Sequence, residues 1–275
     1  MTKPTAGTLA VPGATLHYET RGSGPVLLLI PGGAGDAGMY EGIATRLAAH
    51  CTVVSYDPRG LSRSPLDGPL ADQRVEVWSD DARRLLDLLS PDREAYVLGN
   101  SSGAIVALDL LARNPERLRR VVAHEPPLLE VLEDPAPYRA LFAEVRELFC
   151  EKGLGAAMAR FSEGLGDDRS AEEATELPPE IQEMLPRMHA NFPVFLKHML
   201  CPFSGTAPDI AALHRASNRL TLAAGRDSRA QTPLYGPAAR LSDLLGTTLV
   251  EFKGGHLGCT EHPEDFAKQL LTVLA

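Results

Sequence analysis

Residues 95–104 read AYVLGNSSGA, an apolar run that passes through glycines and serines into a helical pattern. Gly99, Ser101 and Gly103 form a G-x-S-x-G pattern at this junction. A serine on a tight strand-to-helix turn lies in a strained backbone conformation, with its hydroxyl directed away from the sheet. The helix that begins at Ser102 points unpaired N–H groups toward the same place, which favours developing negative charge. The stretch therefore predicts that Ser101 is a nucleophile.

Strands alternate with helices on both sides of this junction. The continuously apolar run at 26–30 predicts a strand that is covered on both faces, as in a parallel sheet. Further strands are predicted at 8–11, 14–20, 52–56, 95–98, 118–124, 219–224 and 247–252, and helices at 39–50, 72–89, 233–244 and 263–274. This alternation predicts an α/β fold with right-handed crossovers and a mostly parallel sheet.

The alternation stops between residues 126 and 215, where the sequence shows helical stretches and no convincing strand. These stretches are predicted at 138–150, 155–164 and 179–200, with an acidic one near 170–176. A helical insertion in an α/β chain most simply forms a lid above the carboxyl ends of the strands. We therefore expect a core of residues 1–125 and 216–275, with residues 126–215 as a lid.

A nucleophilic serine needs a base, and the base needs a group that orients it. His256 follows the strand at 247–252 in a glycine-rich loop, at the sheet edge from which Ser101 emerges. It is the predicted base. Asp227 follows the strand at 219–224 at the same edge and is the predicted orienting acid, with Glu125 as the alternative. The order serine, acid, histidine is that of the α/β-hydrolase fold.

The oxyanion of an acyl-transfer reaction needs hydrogen-bond donors. One predicted donor is the backbone N–H of Ser102, directly after the nucleophile. The other is expected from the loop of small residues after the strand at 26–30. Gly33 is the first choice there, with Gly32 and Ala34 as alternatives.

Charge and composition argue against several kinds of partner. The chain has 27 basic and 36 acidic residues, a net charge of −9 that is spread along the sequence. This argues against nucleic acid and anionic membranes. No apolar run reaches the ~18 residues of a membrane span, and the N-terminal residues show no signal-peptide segment. The four cysteines are scattered, so neither a zinc site nor a disulfide framework is expected. We expect a cytoplasmic monomer or homodimer without metal or cofactor.

Five motifs together resemble the α/β-hydrolase superfamily over nearly the whole chain. They are PGGAG at 31–35, DPRG at 57–60, GNSSG at 99–103, GRD at 225–227 and GGH at 254–256. The resemblance implies an eight-stranded sheet flanked by helices, with a cap inserted after the sixth strand and a substrate pocket between cap and sheet. A serine at position 101 sets the chain apart from the relatives that attack with aspartate, and it implies an acyl-enzyme.

These observations predict a hydrolase that acts on a small-to-medium, largely apolar carboxylic ester or lactone. Met188, Phe192 and Phe195 have helical spacing in the insertion and are the candidate substrate-binding residues; packing of the cap against the core is the alternative. A thioesterase and an aminopeptidase-like hydrolase are alternatives, the second with Glu125 as anchor for a substrate amine. A non-hydrolytic sensor of the same fold is a third.

Overall fold

Eight strands form one sheet in the computed structural model, which describes residues 4–166 and 179–275. They are β1 (Thr5–Val11), β2 (Ala14–Arg21), β3 (Val26–Ile30), β4 (Thr52–Tyr56), β5 (Ala95–Asn100), β6 (Leu118–His124), β7 (Leu220–Gly225) and β8 (Val250–Phe252). Their order across the sheet is β1-β2-β4-β3-β5-β6-β7-β8. The pairs β1–β2 and β2–β4 are antiparallel, and the other neighbours are parallel. The prediction of an eight-stranded, mostly parallel sheet is confirmed.

Helices flank this sheet and also occur in the described part of the segment between β6 and β7. They are α1 (Glu41–Leu47), α2 (Val75–Leu89), α3 (Ser102–Arg113), α4 (Ala136–Lys152), α5 (Leu154–Leu165), α6 (Pro179–Val194), α7 (Leu200–Ser204), α8 (Ile210–Arg215), α9 (Thr232–Leu245), α10 (Gly258–Glu261) and α11 (Pro263–Leu274). A π-helical turn, Phe195–Met199, joins α6 to α7. Short 3₁₀ turns complete the connections.

The central strands are apolar on both faces because helices cover both faces. Every residue of β3 is buried. Leu28 and Ile30 pack in a cluster with side chains of α2, α3 and α9, whereas Leu27 and Leu29 pack with α1 and α11 on the opposite face. Successive side chains of a strand point to opposite faces, so one uninterrupted apolar run supplies both halves of the core.

The segment between β6 and β7, called the helical insertion below, has an apolar cluster of its own. Leu141, Phe142 and Val145 of α4 pack with Ala157 of α5. The other buried members of this cluster are Leu129, Leu196 and Leu200. The predicted helices at 138–150 and 155–164 correspond to α4 and α5. The predicted helix at 179–200 is interrupted by the π-helical turn, which begins two residues after Pro193, a residue without a backbone N–H. The predicted acidic stretch near 170–176 lies outside the described residues.

Strand β8 is shorter than the predicted strand at 247–252. Helix α9 ends at Gly246 in a left-handed conformation, and the N–H of Thr247 donates back to the carbonyl of Ser242 at 2.9 Å. This helix ending includes Thr247, the first residue of the predicted strand, and only Val250–Phe252 pair with β7.

Candidate active site

Ser101 occupies a sharp turn between β5 and α3. Its φ of 54° and ψ of −125° are a strained conformation for a residue with a side chain. The N–H of Ser101 donates to the carbonyl of His124 at 2.9 Å, which fixes the turn to the end of β6. Position 103, two residues after Ser101, must be glycine, because a Cβ there would lie 2.1 Å from the carbonyl oxygen of Ile30. The half-buried Ser101 side chain is therefore held at the carboxyl edge of the sheet.

His256 is held by a buried carboxylate that follows β6. The Nδ1 of His256 lies 2.6 Å from Oε2 of Glu125, a distance typical of a charge-assisted hydrogen bond. The second oxygen, Oε1, accepts the N–H of Gly225 at 2.7 Å. Because the carboxylate is an acceptor, the proton of the imidazole is on Nδ1 and Nε2 is left with its lone pair. This is the tautomer that a general base requires.

The environment of Glu125 favours its ionised form. Burial raises the pKa of this carboxyl, because its side chain has no solvent exposure. The hydrogen bond from His256, with the N–H of Gly225, outweighs burial and leaves the pKa of Glu125 below its ordinary value. A carboxylate that remains charged in this place can stabilise an imidazolium as it forms.

The predicted pairing of Asp227 with His256 is not found, and the alternative acid Glu125 occupies that position instead. Asp227 lies in a short 3₁₀ turn after β7, its side chain is exposed, and no hydrogen bond joins these two described residues. Its backbone N–H donates to the carbonyl of Gly254 at 3.1 Å. Glu125, in contrast, has a φ of +48° that turns its side chain toward the sheet edge. The strand order also explains the difference, because β6 lies next to β5, which carries Ser101.

The loop that carries His256 is docked beside the nucleophile turn. The side-chain amide of Asn100, the residue before Ser101, donates to the carbonyl of His256 at 3.4 Å and approaches the Sγ of Cys259 at 3.8 Å. Among the described residues, the hydrogen bond of the His256 ring is to Glu125, and none joins the ring to the Ser101 hydroxyl. Such bonds are commonly long before substrate binds, so the arrangement brings the predicted nucleophile and base to one edge without completing their contact.

The loop after β3 forms a tight turn against the nucleophile. The N–H of Gly35 donates to the carbonyl of Gly32 at 2.9 Å, and Gly33 has a left-handed φ of +55°. A Cβ at Gly32 would lie 2.6 Å from the Cβ of Ser101, so only glycine permits this approach. The N–H of Gly33 is directed at the side-chain oxygen of Ser102, at 2.8 Å. One predicted oxyanion donor, the N–H of Gly33, is thus bonded to the side chain of the residue that supplies the other.

Comparison with known proteins agrees with this geometry. Residues 27–269 match the model of the alpha/beta hydrolase family. The chain belongs to the alpha/beta hydrolase family. It is 36% identical over 275 residues to the uncharacterized hydrolase YraK of Bacillus subtilis (strain 168), covering 98% of this chain and 95% of that one. It is 28% identical over 278 residues to the zearalenone hydrolase of Bionectria ochroleuca, covering 97% of each chain. A solved hydrolase from Pseudomonas aeruginosa PA01 superposes with a TM-score of 0.76 at 22% identity, over 98% of both chains.

Of the three candidate substrate-binding residues of this hydrolase, Phe195 lies against the loop after β3. A Cβ at Gly33 would be 3.8 Å from its ring, so the ring covers that glycine. Phe192 packs within the apolar cluster of the helical insertion and meets His189 edge-on at 6.2 Å. Met188 packs against the core cluster on the α1 and α11 side of the sheet. The contacts of Phe192 and Met188 are thus those of structural packing.

Helix α6 of the insertion is bonded to the same loop through a buried carboxylate, a contact the sequence did not predict. Asp36 is fully buried and accepts hydrogen bonds from Arg187 Nε at 2.5 Å and from the Ser62 hydroxyl at 2.8 Å. Burial raises the pKa of Asp36, but these bonds outweigh it and lower the pKa. The Asn191 side chain donates to the carbonyl of Ala34 at 2.9 Å and accepts the N–H of Ser62 at 2.8 Å.

His124, at the end of β6, is fully buried. Its ring packs edge-on against Phe252 and Phe266, and neither ring nitrogen has a hydrogen-bond partner among the described residues. Burial lowers the pKa of His124 to about 4, so the ring is neutral at pH 7.

Among residues 4–166 and 179–275, no group of three or more acidic, cysteine or histidine side chains is arranged to hold a metal ion. Within the same residues, no helix has the length and apolar character of a membrane span. The four cysteines are free thiols. Cys259 is buried, and burial raises the pKa of its thiol to about 12.

Proposed function

We propose that this hydrolase cleaves a small-to-medium, largely apolar carboxylic ester or lactone through an acyl-enzyme on Ser101. The observation that carries the proposal is the 2.6 Å hydrogen bond between His256 Nδ1 and Glu125, at the sheet edge where Ser101 occupies its strained turn. The membership of the alpha/beta hydrolase family supports the same chemistry, and so does the relative that hydrolyses zearalenone.

In the proposed reaction, Nε2 of His256 removes the hydroxyl proton of Ser101 as its oxygen attacks the carbonyl carbon. The imidazolium that forms is stabilised by the Glu125 carboxylate. His256 then gives the proton to the leaving alcohol, and the acyl group remains on Ser101. In the second half, His256 activates a water molecule, which releases the acid and restores the free serine.

The oxyanion of each tetrahedral intermediate is proposed to lie between the backbone N–H groups of Ser102 and Gly33, and it would share the N–H of Gly33 with the Ser102 hydroxyl oxygen. Loss of one such donor typically costs about 2.7–4 kcal/mol of transition-state stabilisation. The N-terminus of α3 adds its partial positive charge at this place. No metal or organic cofactor takes part in the proposed mechanism.

We propose that residues 126–215 form a cap over this site, with Phe195 as the residue that faces the substrate. The contact of its ring with Gly33 supports this position. An apolar ring beside the oxyanion loop favours an apolar acyl group over a charged one. Phe192 and Met188 would then stabilise the cap rather than bind substrate.

The aminopeptidase-like alternative is weakened by the contacts of Glu125. An anchor for a substrate amine must be accessible, whereas Glu125 is fully buried and both its oxygens are engaged. A thioesterase would use the same groups, so acyl thioesters belong in any substrate panel. A sensor of the same fold would bind ligand without turnover.

Two measurements test the proposal. A fluorophosphonate should label wild-type protein, and Ser101→Ala should abolish the labelling. A chain-length panel of p-nitrophenyl esters, with matched lactones, acyl thioesters and zearalenone, should then show turnover that is fastest for short and medium apolar acyl groups. Labelling without turnover of any substrate would favour a sensor, and preference for highly charged acyl groups would contradict the proposed pocket.

A further inference from the structure

The side chain of Ser102 joins the two backbone groups that are expected to bind the oxyanion. Its hydroxyl oxygen accepts the N–H of Gly33 at 2.8 Å, and its own N–H is the first of helix α3. The residue is 4% exposed and directly follows the nucleophile. The side chain of Ser102 therefore lies between the proposed nucleophile turn and the loop after β3.

The hydroxyl proton of Ser102 has no acceptor among the described residues. A hydroxyl group carries one donor and two acceptor sites, and only an acceptor site is used here. A buried donor without a partner is unfavourable, so this proton gains when a new acceptor arrives. Because the oxygen accepts an N–H, the group is polarised and becomes a better donor.

We propose that the Ser102 hydroxyl is a third donor to the oxyanion, supplied by a side chain and oriented by Gly33. This inference rests on the proposed function. As Ser101 Oγ bonds to the carbonyl carbon, the π electrons of the carbonyl move to its oxygen, and His256 takes the serine proton. The Ser102 O–H donates a hydrogen bond to that oxygen without transferring its proton. When the intermediate collapses, the bond to the leaving group breaks and the hydrogen bond weakens again.

Two other roles for the same contact give different results. A hydroxyl that only supports the loop would affect folding and ground-state binding. A hydroxyl that blocks the N–H of Gly33 would slow the reaction, so its removal would increase the rate. A donor to the oxyanion acts on the transition state more than on the substrate.

The test compares Ser102→Ala with wild type, Ser102→Thr and Ser242→Ala. Ser242 is an equally buried helical serine, 4% exposed, on α9, and serves as the control for removing a hydroxyl from the core. We expect Ser102→Ala to lower kcat/KM by about 10-fold or more. Ser102→Thr retains the hydroxyl and should recover most of the loss, and Ser242→Ala should match wild type.

Binding of two inhibitors separates a transition-state role from a structural one. A trifluoromethyl ketone forms a tetrahedral adduct with Ser101 and places a negative oxygen in the oxyanion site, whereas the matching secondary alcohol cannot react. Ser102→Ala should weaken binding of the ketone by the same factor by which it lowers kcat/KM, and it should leave binding of the alcohol unchanged. An unchanged or increased kcat/KM would overturn the proposal, and so would equal weakening of both inhibitors.

The result can be separated from a failure of the proposed function. If wild-type protein turns over no ester, lactone or thioester, the rate constant of fluorophosphonate labelling replaces kcat/KM, because negative charge also grows on the phosphoryl oxygen. A decrease of about 10-fold or more in Ser102→Ala would still support the third donor. Equal labelling rates would overturn it.

Discussion

Replacing Glu125 by glutamine removes the charge that holds His256 and keeps nearly the same shape. At the observed 2.6 Å, opposite unit charges attract by about 6 kcal/mol at an effective dielectric of about 20. In the proposed mechanism the imidazolium forms as Ser101 is deprotonated, so this attraction would stabilise the transition state. An amide can also present its N–H₂ to Nδ1, which favours the wrong tautomer of His256. We therefore expect kcat to fall by about 10⁴-fold.

The matched control is Asp227→Asn, which makes the same chemical change on the exposed residue that follows β7. We expect its kcat to stay within about twofold of wild type, as is usual for surface changes. Both variants should be assayed with one p-nitrophenyl ester under saturating conditions, with thermal unfolding to show that each is folded. The opposite result would refute the reasoning: a loss of about 10³-fold in Asp227→Asn, with near-normal activity in Glu125→Gln. A loss of this size or more is typical when a member of a catalytic triad is removed. The orienting acid would then be Asp227 in the working enzyme.

Three further outcomes follow from the described contacts. Ser101→Ala and His256→Ala should each abolish nearly all esterase activity, and the double variant should be little worse, since the groups act as a unit; additive losses in a kinetic cycle would contradict this. Arg187→Ala leaves a buried carboxylate without its cation, so urea unfolding should show a loss of about 2 kcal/mol, while Arg139→Ala, which breaks an exposed pair with Glu130, should lose under about 1 kcal/mol. Equal losses would count against the buried contact. His124 is protonated below its ordinary pKa of 6.5 in the unfolded chain but only near 4 in the folded one. The free energy of unfolding should therefore fall by about 3 kcal/mol as the pH drops through this interval, and His124→Leu should flatten that slope.

The architecture was predictable because its signals are local. The run at 26–30 is apolar throughout. A strand that is buried on both faces shows this pattern whatever its position in the strand order of the sheet. The strained turn at Ser101 is also encoded locally, since glycines at 99 and 103 allow strand and helix to cross. His256 could be placed for a similar reason, because it follows the last strand in a loop that contains two glycines.

The acid could not be decided in the same way. Glu125 and Asp227 both follow parallel strands at the same edge, and no periodicity distinguishes the two loops. The choice depends on the left-handed backbone of Glu125 and on an N–H from Gly225, which is 100 positions away in the chain. Such long-range geometry leaves no pattern in a single sequence.

The insertion shows the same limit. Its helices follow from spacing, but the interruption after Pro193 and the bonds from α6 to the loop after β3 arise only on packing. Leucine and methionine spacing predicts that a helix has an apolar face; it does not reveal which surface that face will meet. For this reason the sequence pattern placed Phe195 with Phe192 and Met188, although the three side chains have different surroundings in the structure.

The hydrogen bond from the side-chain amide of Asn191 restricts how a substrate can reach the proposed site. Helix α6 cannot swing outward without stretching or breaking the bond to the carbonyl of Ala34, the neighbour of the proposed donor Gly33. An entrance made by lifting that helix would therefore also release the peptide that is proposed to bind the oxyanion. An open entrance and an intact oxyanion site would then exclude each other, and the proposed reaction would require helix α6 to have returned to its closed position.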